Sequence, residues 1–140
     1  MAKRNNPEQD LQIEMIDWLD LALNPYDGWR WHTPNEGQQG GVKGKVIGQI
    51  RKNMGLMPGF PDLCITHSSL ICAECGAARI IGVEVKVKSP QTQNQKACQA
   101  RFEQYGWPYY IARSIDDLRE MLKKENVPVR VREFDFGGDK

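Results

Sequence analysis

Long hydrophobic runs are missing from this sequence of 140 residues, and so is an apolar segment near Met1 of the kind found in secretory signals. A membrane-spanning helix needs about 20 consecutive apolar residues, so we expect a cytoplasmic protein that does not enter a membrane. The four cysteines lack the dense spacing of a small secreted domain, which favours reduced thiols. Repeats and low-complexity tracts are also missing. The length suits one domain, expected over residues 1–126, with a tail or edge strand over residues 127–140.

One segment of the chain lacks basic residues and another lacks acidic residues. Residues 5–29 contain no Lys or Arg but six acids, whereas residues 37–61 contain no acid but four basic residues. These basic residues are Lys43, Lys45, Arg51 and Lys52. The net charge of +1 excludes a uniformly basic surface, but a local patch of this kind can neutralise the phosphates of a nucleic acid. Lys96 and Arg101 could extend the patch, and a solvated basic face is the alternative.

The spacing of apolar residues predicts a mixed α/β protein. We expect helices over residues 8–23, 92–105 and 114–124, and strands over residues 59–66, 79–87 and 108–112. Residues 25–58 are rich in Gly, Pro, Asn and Gln, and we expect an irregular segment that meets the substrate, with a short helix over residues 46–54. The predicted order is therefore α, loop, β, β, α, β, α, which indicates a mixed sheet flanked by helices. The alternating tail could add an edge strand, form a dimer arm or have no ordered structure.

Two acids and a lysine lie on the first two predicted strands. Glu84 and Lys86 are two residues apart, so their side chains emerge on one face, and Asp62 follows a proline at the start of the neighbouring strand. Asp62 and Glu84 can then bind one Mg²⁺, which prefers oxygen ligands and keeps several waters. Lys86 would orient or deprotonate a water, or stabilise the charge of the transition state, as phosphodiester hydrolysis requires. Because Glu-x-Lys alone is commonly a solvated ion pair, the prediction depends on Asp62.

Five blocks of sequence resemble, in order, the VRR-NUC domain of the PD-(D/E)xK nuclease superfamily, of the stand-alone phage or bacterial type. They are EQDLQ at residues 8–12, HTPNEG at 32–37, MGLMPGFPDL at 54–63, GVEVK at 82–86, and Gln95 placed seven residues before Phe102 and eleven before Gly106. Together they extend over residues 8–122. The resemblance implies the restriction-endonuclease-like fold and metal-dependent cleavage of DNA with Mg²⁺ or Mn²⁺.

The resemblance also implies roles for individual residues. Asp62, Glu84, the backbone carbonyl of Val85 and Glu8 would bind the metal, Lys86 would be the catalytic lysine, and Gln95 the glutamine that opens the following helix. Glu14 competes with Glu8 for the position on the first helix, and an acid at a helix start also simply suits the helix dipole. Gln95 has the alternative of an ordinary surface amide.

A domain of this size contacts few phosphates, so cleavage of both strands of a DNA favours a homodimer. We expect low sequence specificity and selection of a DNA structure, namely a Holliday junction, flap or nick, and the residues do not distinguish these. Trp29, Trp31 and His32 stack on bases or close the core. The alternative from another class is a non-catalytic DNA-binding or zinc-stabilised interaction module that has kept the fold.

The cysteines suggest a second metal. Cys72 and Cys75 form a Cys-x-x-Cys-Gly motif that the resemblance does not include, and with Cys64 and His67 they would supply four zinc ligands. Cys64 fits poorly, because its side chain would lie on the Asp62 side of a strand. A reduced thiol pair, a zinc ion shared across a dimer and a redox pair are the other interpretations.

Overall fold

The computed structural model describes residues 6–32 and 59–130, which form three helices and one four-stranded sheet. In chain order the elements are α1 (Pro7–Ala22), β1 (Gly28–His32), β2 (Leu63–His67), β3 (Ile81–Val85), α2 (Gln93–Gln104), β4 (Tyr109–Ala112) and α3 (Ile115–Lys124). The strands follow the order β1-β2-β3-β4. The first three pair antiparallel, and β3 pairs parallel with β4. A parallel pair needs a crossover connection, and α2 provides it.

Side-chain caps determine where the helices begin. The Asn6 side chain accepts a hydrogen bond from the N–H of Gln9 at the start of α1, where Pro7 occupies the first turn. Thr92 and Gln95 form a capping box at the start of α2. Ser114 accepts a hydrogen bond from the N–H of Asp117 at the start of α3. These caps satisfy backbone donors that the first turn of a helix leaves without partners.

The two faces of the sheet are packed by different helices. One face carries Leu63, Ile65 and Val83, and these belong to the main core together with buried residues of α1 and α3. The other face carries Gly82 and packs against α2, because a Cβ atom added to Gly82 would lie 2.7 Å from the ring of Phe102. Phe102 is the centre of a second apolar cluster with Cys98 and Tyr109. Alternation along β3 therefore directs Glu84 towards α2.

The predicted helices and the last strand agree with the structure to within about two residues, but β1 was not expected. It lies in the segment predicted to be irregular, where Trp29 and Trp31 alternate with Arg30. The ion pair of Arg30 with Asp20 of α1, at 2.8 Å, joins this strand to the helix. Two predicted strands are also shorter than expected. β2 begins at Leu63 and β3 ends at Val85, so Asp62 and Lys86 lie just outside strands.

The tail predicted after residue 126 is described only as far as Arg130. Val127 is buried, and Arg130 donates its backbone N–H to the carbonyl of Ala22 at 2.9 Å, so this part of the tail lies along the end of α1 rather than in the sheet. Residues 131–140 and the short helix predicted over residues 46–54 lie outside the described residues. Within the described ranges every helix is too short or too polar to cross a lipid bilayer.

Candidate active site

Asp62 is held against β3 by a backbone hydrogen bond. It lies directly before β2, half-buried, and its Oδ2 accepts the N–H of Val85 at 2.9 Å. The pairing of Leu63 with Val83 places Asp62 opposite Glu84. The N–H and C=O of one strand residue point to the same side, so we expect the Val85 carbonyl to face Asp62 as well. The structure thereby brings the two carboxylates together.

Glu84 is buried and hydrogen-bonded on both oxygens, with only 2% of the residue exposed. Its Oε2 accepts from Nε2 of Gln95 at 2.6 Å, and its Oε1 accepts from the hydroxyl of Tyr109 at 3.2 Å. Gln95 comes from the start of α2 and Tyr109 from β4, so two elements of the fold orient one carboxylate. Such fixed partners are typical of carboxylates that bind a metal.

Burial and mutual repulsion make this carboxylate pair resist ionisation. Burial raises the pKa of Asp62, against the opposing effect of the Val85 N–H. Burial, and then the charge of Asp62, raise the pKa of Glu84 to about 9. At neutral pH the pair therefore retains a proton, and a bound cation would displace it. A strongly raised carboxyl pKa of this kind is typical of functional sites.

Lys86 brings a positive charge to the same place. It follows β3 directly, and only 5% of the residue is exposed. Its charge lowers the pKa of both Asp62 and Glu84, in each case by less than burial raises it. A lysine is almost never so deeply buried unless it is paired, and the two acids are the groups on which its charge acts.

Glu8 approaches the pair from the start of α1. Its Oε2 accepts from the hydroxyl of Ser89 at 2.7 Å and from the N–H of Val87 at 3.4 Å, so it is tied to the segment after β3. Its charge raises the pKa of Asp62, which indicates that the two carboxylates are close. Glu14, the competitor, is exposed. Of the two acids, Glu8 is the one whose charge acts on Asp62.

The donor set fits a hard cation. Within residues 6–32 and 59–130, no three or more His, Cys, Asp or Glu side chains are arranged to hold a metal ion. Asp62 and Glu84 would therefore supply two side-chain oxygens, with the carbonyl of Val85 as a third oxygen. Mg²⁺ binds through one or two carboxylates and keeps several waters, so this partial set suits it. Glu8 would then contribute to metal binding as a third acid outside the Asp62–Glu84 pair.

The predicted DNA contacts are only partly described. Lys43, Lys45, Arg51 and Lys52 lie outside the described residues, whereas Lys96 is exposed on α2, one residue from Gln95. Trp29 is 67% exposed, so of its two interpretations the one in which it closes the core is wrong. Its ring lies 5.2 Å from that of Trp31, centroid to centroid. His32 is exposed at the end of β1.

The four predicted zinc ligands do not meet. Cys64 is completely buried in β2, where burial and Cys98 raise its thiol pKa to about 12. His67 is buried at the end of β2, and its Nδ1 accepts the N–H of Ser69 at 3.0 Å. Cys72 and Cys75 lie beyond it in the turn between β2 and β3. Hydrogen bonds from the N–H and thiol of Cys75 lower the pKa of Cys72.

Two parts of the site were missed at the sequence level. Tyr109 was assigned only to an apolar strand, and its contact with Glu84 depends on the parallel pairing of β3 with β4. Ser89 lies between the predicted strand and the predicted helix, outside both, yet its hydroxyl donates to Glu8. The one usable signal was that Tyr109 carries a hydroxyl, because a buried Tyr usually needs a partner for it.

The chain is similar to a solved structure described as a VRR_NUC domain protein. The TM-score is 0.58 with 18% sequence identity, over 88% of this chain and 90% of that chain. No protein-family model and no curated protein matches the sequence. A likeness at this identity concerns the backbone fold, and it extends over almost the whole of both chains. The predicted restriction-endonuclease-like mixed sheet is thereby confirmed, and the chain has the fold of a VRR_NUC domain protein.

Proposed function

We propose that this protein is a metal-dependent DNA endonuclease that hydrolyses phosphodiester bonds. The observation that carries the proposal is the cluster of half-buried Asp62 with buried Glu84 and Lys86, in which two carboxylates of raised pKa lie beside a buried lysine. Burying ionisable groups in this way is costly unless they serve a purpose such as metal binding. The fold shared with a VRR_NUC domain protein supports the same assignment, because that description names a nuclease-type domain.

Mg²⁺ or Mn²⁺ would be held by Asp62, Glu84 and the carbonyl of Val85, with Glu8 contributing from the start of α1. When bound, the ion supplies a Lewis acid and lowers the pKa of water. Gln95 and Tyr109 hold Glu84 in a fixed orientation, so the site does not have to reorganise when substrate arrives. The Val85 N–H does the same for Asp62.

Lys86 is the group that acts on the reacting phosphate. Its ammonium group would stabilise the negative charge that develops on the phosphate oxygens in the transition state, or orient the attacking water. Lys86 is buried, with only 5% of the residue exposed, beside the two carboxylates whose pKa its charge lowers. The same burial excludes bulk water and so strengthens the effect of that charge.

The substrate is DNA, which the protein contacts through the backbone phosphates without recognising a base sequence. Lys96 is exposed beside Gln95 and suits a phosphate contact, and Lys43, Lys45, Arg51 and Lys52 belong to the acid-free segment that leads towards Asp62. We further propose a homodimer that selects a DNA structure such as a junction, flap or nick, since two copies would cut two strands.

The test is cleavage of supercoiled plasmid and of synthetic junctions, flaps and nicked duplexes, each with Mg²⁺, Mn²⁺ or EDTA. We expect metal-dependent cleavage by the parent protein. Lys86→Ala should lower the rate by about 10²-fold to 10⁴-fold, as expected for loss of one group that acts in the transition state.

Lys88→Ala is the matched control, because Lys88 is an exposed lysine two residues further along. It should cleave at nearly the parent rate. Equal cleavage by the parent and Lys86→Ala would contradict the assignment. DNA binding by the parent without cleavage under any metal condition would instead support the non-catalytic module.

A further inference from the structure

The turn between β2 and β3 ends in a tight cysteine knuckle. A bridge between Ile71 and Ala78 closes it, the N–H of Cys72 donates to the carbonyl of Ala77 at 2.8 Å, and the N–H of Gly76 donates to the carbonyl of Cys72 at 2.8 Å. Gly76 has a φ of 74°, which only glycine adopts at little cost. The backbone therefore holds the Cys72–Cys75 turn in one conformation.

Neither cysteine of this knuckle is buried in the core. The Cys72 sulfur accepts hydrogen bonds from the backbone N–H groups of Cys75 and Glu74 and from the thiol of Cys75. Cys75 is exposed and Cys72 partly exposed, and both are free thiols. Donors aimed at a sulfur stabilise its thiolate form, which is the form that binds zinc.

The remaining cysteines and histidines of this chain do not complete a zinc site. The chain has only four Cys and two His. Cys64 is completely buried and Cys98 is 4% exposed, both between the sheet and α2. His67 is buried and bonded to Ser69. His32 lies at the other end of the β1–β2 pair, about 13 Å along the strands from the end that leads into the knuckle.

We propose that Cys72 and Cys75 are half of a structural zinc site, completed by the same two cysteines of a second copy of this chain. A structural zinc ion takes four ligands, and Cys₄ is one of the usual sets. Two identical exposed knuckles related by a twofold axis supply that set, in the isologous arrangement usual for dimers. Ile71, beside the knuckle, is 50% exposed and would gain cover from the second copy. The site requires neither DNA nor the carboxylate cluster.

The test uses the purified full chain in the presence of a reductant that does not bind metals. We expect about one zinc ion per two chains by elemental analysis, following from two ligands per chain. Removal of zinc with a strong chelator should convert the dimer to monomer in light scattering, and zinc should restore it. Titration of the zinc-free protein with Co²⁺ should produce thiolate-to-metal absorption with the visible bands of tetrahedral Co²⁺.

Four variants separate the knuckle from the other thiols and from His67. Cys72→Ser and Cys75→Ser should each abolish the thiolate-to-Co²⁺ absorption and the zinc-dependent dimer. Cys98→Ala and His67→Asn should keep both. One zinc ion per monomeric chain, or Co²⁺ binding without thiolate absorption, would overturn the proposal, and so would zinc-dependent dimers of Cys72→Ser. None of these readouts depends on nuclease activity.

Discussion

The side-chain amide of Gln95 joins the start of α2 to the carboxylate of Glu84. Its Nε2 donates to Oε2 of Glu84 at 2.6 Å, while its Oε1 accepts the backbone N–H of Thr92 at 2.8 Å. The capping box of α2 and the orientation of Glu84 therefore depend on one side chain. A glutamine is suited to both tasks because it carries a donor and an acceptor on the same amide.

We predict that Gln95→Leu weakens metal binding more than it weakens the fold. The substitution leaves Glu84 without its shortest hydrogen bond, and loss of such an outer partner typically costs 10-fold to 100-fold in metal affinity or activity. The measurement is the Mg²⁺ concentration that gives half-maximal cleavage, with urea unfolding as the stability readout.

Thr92→Ala is the control for the cap. It removes the hydroxyl that accepts the Gln95 N–H at 3.2 Å but keeps the amide on Glu84. It should cost about 1 kcal/mol of stability and leave the Mg²⁺ dependence unchanged. A Thr92→Ala protein with the same loss of Mg²⁺ affinity as Gln95→Leu would show that the cap, not the contact with Glu84, matters.

A second prediction concerns the dependence of stability on pH. The pKa of Glu84 is raised from 4.5 to about 9, mainly by burial and then by Asp62. Between these values the native state holds a proton that the unfolded state has lost. The free energy of unfolding should therefore fall as pH rises, by up to about 1.4 kcal/mol per pH unit for this group. Urea unfolding between about pH 6 and pH 8.5 measures this slope.

Mg²⁺ should flatten that slope, because it binds the ionised carboxylates and displaces the proton. Its stabilising effect should accordingly grow with pH. Glu84→Gln removes the titrating group, so this variant should have a shallower slope without Mg²⁺ and gain little from Mg²⁺. Identical slopes for the parent and Glu84→Gln would contradict the shifted pKa.

The carboxylates and Lys86 could be predicted from the sequence because their arrangement is local. Spacing of two puts the side chains of Glu84 and Lys86 on one face, and the acid after Pro61 directly precedes the neighbouring strand. The contact of Tyr109 with Glu84 could not be predicted, since it depends on which strand lies beside β3. Pairing partners are set by the packing of the whole sheet rather than by any short segment.

β1 could not be predicted, for a different reason. Its five residues lie in a segment whose Gly, Pro and Asn content indicates a loop, and the Trp-Arg-Trp alternation is too short to outweigh that composition. Its place at the edge of the sheet comes from pairing with β2 and from the Arg30–Asp20 ion pair with α1. Both are long-range contacts that periodicity does not report.

Gly59, three residues before Asp62, should tolerate substitution much less than Gly106, which has a similar backbone conformation. Its φ is 82°, and an added Cβ would lie 2.4 Å from the backbone carbon of Asn94 in α2. Gly106 has a φ of 74° with nothing within 4 Å of an added Cβ. Gly106→Ala should cost about 1–2 kcal/mol from the left-handed conformation alone. Gly59→Ala should cost about 1–3 kcal/mol more, because α2 must move.

Activity adds a second readout for these glycines. A shift of α2 away from Gly59 carries Gln95 with it, so Gly59→Ala should lower cleavage even at temperatures where the protein remains folded. Gly106→Ala, at the far end of α2, should keep the parent rate. Equal losses of stability for the two variants would mean that the close approach of Gly59 to Asn94 does not constrain α2.

Glu8→Gln tests whether the charge on α1 serves the metal site. Glutamine keeps an oxygen that can accept the Ser89 hydroxyl, so the tie between α1 and the segment after β3 should persist. The lost charge should raise the Mg²⁺ concentration needed for half-maximal cleavage by about 10-fold, the lower end of the range for an outer partner of a metal ligand. Glu14→Gln is the matched control, since Glu14 is exposed on the same helix.

Ser89→Ala separates charge from position. It removes the hydroxyl that lies 2.7 Å from Glu8 but leaves the carboxylate and its charge in place. If charge is what matters, Ser89→Ala should retain most of the Mg²⁺ affinity that Glu8→Gln loses. If both variants lose it equally, Glu8 acts by fixing the chain after β3. Unchanged affinity in Glu8→Gln would remove Glu8 from the metal site and leave its role as an acid that stabilises the start of α1.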